Sequence, residues 1–80
     1  MLDVTARYFA VFREQAGCGS EQVATAAATT GEFFSEVAAR HGFLDAQVRC
    51  KVAVNGELAG WDAVLSDADE ILFFPPVAGG

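Results

Sequence analysis

Apolar and polar residues alternate through "LDVTARYF": Leu2, Val4, Ala6 and Tyr8 fall on one face, and Asp3, Thr5, Arg7 and Phe9 on the other. A period of two is that of a half-buried strand. "AVFREQAG", residues 10–17, carries helix formers closed by a glycine, which predicts one irregular or helical turn before a loop opens at "GCGS". "EQVAT" predicts a second strand in a hairpin with the first, and "ATAAATT" its end and connector. From Thr29 the period changes. Phe34, Val37, Ala38 and His41 recur on one helical stripe, Thr29 and Glu32 stand at capping-box spacing with Thr30 as the competing cap, and Gly42 is a natural stop. One substantial helix over residues 31–41 is predicted, and its apolar stripe needs a sheet to cover.

In "CKVAVNGEL" the alternation sends Val52 and Val54 inward and Lys51 and Ala53 outward. Asn55-Gly56 is a strong hairpin signal, so a third strand turns into a short fourth. After a polar turn at residues 66–69, "EILFF" makes the last strand, with Ile71 and Phe73 inward, Glu70, Leu72 and Phe74 outward, and Pro75 and Pro76 ending it. A ferredoxin-like order would need a second full helix, for which "WDAVL" is too short. The order therefore predicts an α+β fold of the β-grasp kind used by ubiquitin: a mixed sheet of four to five strands, the first and last parallel at its centre, with one main helix across one face. The domain takes residues 1–74, and residues 75–80 form an extended Gly-Gly tail.

Composition narrows the function. Hydrophobic residues make up 52% of the 80 residues and charged ones 20%, which excludes a disordered chain. Cys18 and Cys50 have no histidine or cysteine at ligand spacing, so neither a zinc nor an iron-sulfur site is encoded, and free thiols in a reducing compartment are expected. With no signal-like segment and no apolar run near the ~20 residues of a membrane span, a cytoplasmic protein without membrane contact is expected. The net charge is −6 and the five basic residues form no run, which argues against nucleic acid as a partner.

One helix covers only one face of a sheet. Phe9, Leu58, Leu72 and Phe74 are left on the other as an outward patch suited to docking, unless loop 42–50 folds over part of it. The tail starts from that patch. Pro75 and Pro76 fix φ and block sheet pairing, so the six residues from Pro75 extend up to about 20 Å from the globule. Val77 is a candidate anchor. Gly79 and Gly80 lack Cβ and can enter a channel too narrow for a side chain, carboxylate first. A carboxylate is a poor electrophile until it is turned into a mixed anhydride such as an acyl-adenylate. That step needs ATP and another protein, because "GCGSEQ" lacks the phosphate-loop pattern and its lysine. No cofactor bound by this chain is expected. Elsewhere His41 reads as a packed or helix-capping residue, Cys18 as an unassisted thiol, and Asp67, Asp69 and Glu70 as solvated turn residues.

"VAVNGELAGWDAVLSDADEILFFPPVAGG", residues 52–80, and "RYFAVFREQAG", residues 7–17, closely resemble the small, sulfur-carrying subunit of molybdopterin synthase, and the likeness spans the whole chain. "FFPPV-x-GG" is its most specific part. The resemblance implies a β-grasp fold, adenylation of Gly80 by an E1-like enzyme, conversion to a thiocarboxylate, and insertion of the tail into a large catalytic subunit within a heterotetramer. Sulfur would then pass to cyclic pyranopterin monophosphate, the carrier itself being a non-catalytic subunit. It also places the family's partner contacts on Phe9, Leu58 and Phe74, the residues that alternation turns outward. One departure is Ala68, where the family commonly has glycine, which asks that the turn avoid positive φ there. The competing readings are a ubiquitin-like protein modifier, a sulfur carrier for another pathway (thiamine, cysteine or tRNA thiolation), and a plain interaction module.

Overall fold

The structure, a computed structural model, describes residues 1–76. Strand β1 (Leu2–Tyr8) runs through a short helix α1 (Val11–Ala16) into β2 (Ser20–Thr25). Helix α2 (Thr30–His41), a 3-10 turn (Gln47–Arg49), β3 (Lys51–Val54), β4 (Glu57–Ala59) and β5 (Glu70–Phe74) follow. The sheet order is β2-β1-β5-β3-β4, with β1 and β5 parallel at the centre and the other neighbours antiparallel. This is the predicted β-grasp fold in its five-stranded form.

Helix α2 begins at Thr30, one residue before its predicted start, because Thr29 wins the competition for the cap: its hydroxyl accepts from the Glu32 amide at 3.2 Å. The return bond reaches one residue further than in a standard capping box, from the Ala28 amide to Glu32 Oε1 at 2.8 Å. The first amides of a helix have no partner inside it. Here the segment before β5 supplies them: Ala63 O accepts from Thr30 N at 3.0 Å and Trp61 O from Gly31 N at 2.8 Å, while the buried Thr30 hydroxyl donates to Gly60 O at 2.7 Å. A Cβ on Gly31 would sit 2.8 Å from Trp61 O, so this close approach requires glycine. "WDAVL" is therefore a strap across the start of α2 and not a helix. At the far end Gly42 takes a left-handed φ of 72° and closes the helix on Ala38 O.

The core lies between α2 and the inner sheet face. Val4, Ala6, Tyr8, Val52, Ile71 and Phe73 come from the strands, and Phe33, Phe34 and Val37 from the helix. Phe33, fully buried against Phe73 with ring centroids 5.8 Å apart, lies outside the predicted stripe. The buried arc of α2 is wider than that stripe, since a helix lying across a sheet buries a wider arc than a helix seam does. Phe12 of α1 joins this core, stacked on Phe43 at 4.4 Å. Phe43 thereby pins loop 42–50 to the core side, and the loop leaves the patch of Phe9 and Leu58 uncovered.

Two expectations fail locally, at Asp69 and Ala68, and a third holds with a difference. Ala53 is on the outer face but buried, since its small side chain lies between the register neighbours Leu58 and Leu72. Asp69 is buried and not solvated: its carboxylate accepts from the Ser66 amide at 2.7 Å and from Asn55 Nδ2 at 2.9 Å, holding the polar turn to the Asn55-Gly56 hairpin. Ala68 has φ 70°, the conformation that the sequence reading asked the turn to avoid. The bonds from its amide to Asp3 O (2.7 Å) and from Asp69 N to Ser66 O (3.2 Å) hold it there. Among the described residues no helix is long and apolar enough to cross a membrane.

Candidate functional site

Register assembles the outer face row by row. Arg7 of β1, Leu72 of β5, Ala53 of β3 and Leu58 of β4 line up across four strands. In the next row toward the end of β5, Phe74 lies opposite Lys51, and Phe9, the residue after β1, packs on Phe74 with centroids 5.8 Å apart at 57°. Phe9 is 56% exposed and Leu58 73%, so both keep most of their apolar surface open to contact. Phe74 faces outward as alternation requires, yet it is half-buried and not fully exposed, because Phe9 leans on it. Leu72 is likewise half-buried.

Beside Phe74 the face deepens into an open groove of about 270 Å³, lined by Arg49, Lys51, Leu58, Phe74, Pro75 and Pro76. Of the residues that the sequence marks for partner contact, Phe9, Leu58, Phe74, Pro75 and Pro76 therefore meet at one end of the sheet, where β5 ends. Val77, Gly79 and Gly80 lie outside the described residues. Arg49 and Lys51, which the sequence reading left unassigned, line the same groove. Their signal was weak: Lys51 had only its outward phase, and Arg49 comes from a loop without periodicity.

Other candidate residues take structural roles. His41 Nε2 lies 2.5 Å from Glu21 Oε2, the same oxygen that accepts from the Tyr8 hydroxyl at 2.5 Å, and the His41 ring meets Tyr8 edge-on. This cluster joins β1, β2 and the end of α2. Burial and the Glu21 carboxylate push the Tyr8 hydroxyl far up from its ordinary pKa of 10.0. Burial works against the charge on Glu21, but the bonds from Tyr8 and His41 outweigh it and hold the carboxyl below its usual 4.5. Cys50 is buried, with its thiol pushed up by burial and the nearby Asp45, and its Sγ donates to Ala46 O at 3.3 Å. Cys18 is a half-exposed free thiol. Among the described residues no three histidine, cysteine or acidic side chains are grouped to hold a metal.

A β-grasp domain with an open apolar sheet face at the root of a Pro-Pro exit and a Gly-Gly tail defines a ubiquitin-like carrier class. The chain belongs to the ThiS family, which it matches over residues 6–80. It is 36% identical over 76 residues to the molybdopterin synthase sulfur carrier subunit of Escherichia coli (strain K12), a match covering 91% of this chain and 94% of that one. Among solved structures it resembles a putative molybdopterin converting factor, subunit 1, from Pyrococcus furiosus, with 30% identity, a TM-score of 0.79 and coverage of 96% and 100% of the two chains. It also resembles SAMP1 from Haloferax volcanii, with 28% identity, a TM-score of 0.77 and coverage of 98% and 99%.

Proposed function

We propose that this chain is the sulfur carrier subunit of a molybdopterin synthase, bearing sulfur as a thiocarboxylate on Gly80. The observation that carries the reading is the outer-face patch of Phe9, Phe74 and Leu58, with Phe9 and Leu58 largely exposed, beside Pro75 and Pro76, in a chain 36% identical to a carrier subunit of that name. The outer face binds, and the tail delivers. Pro75 and Pro76 offer no amide hydrogen, so the chain cannot continue pairing with β3 and is directed off the sheet.

The chemistry belongs to partners. An E1-like enzyme joins the Gly80 carboxylate to the AMP portion of ATP with release of pyrophosphate, a donor of sulfide-level sulfur displaces AMP from the acyl carbon, and the resulting thiocarboxylate enters the large catalytic subunit. There sulfur passes to cyclic pyranopterin monophosphate, and water supplies the oxygen with which the chain returns as a carboxylate. In this role it is a non-catalytic subunit of a cytoplasmic sulfurtransferase.

Deleting Gly80 shortens an extended tail by about 3.3 Å, and misplacing a reacting group by about 1 Å can already cost ~100-fold in rate. In a reconstituted assay with activating enzyme, ATP, a sulfur source and the large subunit, the Gly80 deletion should bind the large subunit normally and yield no molybdopterin. Normal product formation would show that Gly80 does not carry the sulfur.

A further inference from the structure

The groove beside Phe74 combines two features that docking on Phe9 and Leu58 does not explain. Its wall is apolar, from Leu58, Phe74, Pro75 and Pro76, and its rim carries Arg49 and Lys51. Among the described residues neither cation has an ion pair, whereas Arg7 is held by Glu70 at 3.3 Å and Arg40 by Glu36 at 3.5 Å. In a chain with 11 acidic and five basic residues, a groove lined by two cations and no acidic residue stands against the net charge of the molecule.

We propose that this groove is a subsite for an acidic-apolar segment of the partner protein, an aspartate or glutamate next to an apolar side chain. The inference rests on the reading that the outer face docks a partner, and it names the chemistry of that partner's contact. Leu58 and Phe74 belong to both the face and the groove, so a partner seated on the face reaches the groove without a gap. The prolines at its edge have no amide hydrogen to offer a peptide backbone, so recognition there falls to side chains. The apolar wall takes the apolar side chain, and the carboxylate meets Arg49 and Lys51. A free anion such as phosphate would meet the same two cations but would shed water against the apolar wall with no apolar contact to offset that cost. The contrast in charge also selects orientation. A basic partner drawn to the net charge of −6 would be repelled at the groove unless its own residue there is acidic.

The test is the affinity for the large subunit of molybdopterin synthase from the same organism, measured at about 0.05 M and about 0.5 M NaCl. Both mutated cations are exposed, and circular dichroism checks that each variant is folded. The double variant R49E/K51E should bind about tenfold more weakly at low salt, with the gap closing at high salt, whereas Phe9→Asp should bind weakly at both. R49K/K51R should stay within about twofold of wild type. Wild-type binding by R49E/K51E, with Phe9→Asp impaired, overturns the groove and leaves the docking face standing. Wild-type binding by Phe9→Asp as well overturns both. Tighter binding by R49E/K51E, together with faster carboxypeptidase trimming, would mean that the groove holds this chain's own tail, and this too overturns the proposal.

Discussion

Ala10 and Ala68 hold their backbones at φ 53° and 70°, where a Cβ is unfavourable. At Ala68 four hydrogen bonds of the 66–69 turn and the start of β1 over-determine the conformation, including Asp3 N to Asp67 Oδ1 at 2.8 Å. The backbone is held against its preference, and Ala68→Gly should release that cost. We expect a gain of about 1 kcal/mol, or ~4–8 °C in thermal midpoint for a domain of this size, offset in part by the looser unfolded chain. A lower midpoint for Ala68→Gly would show that the turn stores no strain. The sequence pointed at this residue but to the opposite conformation, because a hydropathy pattern reports faces and carries no information about the sign of φ at one turn. For the same reason Asp69 read as solvated. Its burial depends on Asn55, 14 residues away in sequence, arriving through the sheet.

At the scale of elements, side-chain ties fasten what the ladder leaves loose. Among the described residues edge strand β2 pairs only with β1, and Glu21 is where it also holds the end of α2, through His41. The folded state keeps Glu21 ionised below its usual 4.5 despite burial, so the unfolded chain binds the proton more readily. The stabilisation from Glu21 should accordingly be complete above about pH 4.5 and vanish as pH falls through the lowered value. Urea titrations of wild type and Glu21→Gln check this: wild type should be the more stable at pH 7, and the two should converge in acid. A constant difference down to pH 3 would mean that the carboxylate gains nothing from Tyr8 and His41. The elements themselves were legible because their periods are clean, including the Asn55-Gly56 hairpin, where both residues take the positive φ that the pair predicts. The strap at residues 60–65 was not, since it has no period and its order comes from carbonyl oxygens that accept from the amides of a helix start far away in sequence.

At the scale of the whole molecule, one asymmetry organises the rest. The sheet has two faces and the chain has one long helix. The face without it presents Phe9, Leu58 and Phe74, and the central strand β5 brings Pro75 and Pro76 to the same place. That juxtaposition followed from alternation and strand order alone, so the outward-facing residues could be named from the sequence. Arg49 and Lys51 could not be placed beside them without the register of β3 on β5. The central claim is that Gly80 bears sulfur. The intact mass of the protein, after incubation with its activating enzyme, ATP and a sulfur donor, tests it most directly. One oxygen should be exchanged for sulfur, located at Gly80 by fragmentation and lost again when the large subunit turns over its substrate. A carboxylate left unchanged while the chain accumulates on lysines of other proteins would contradict it.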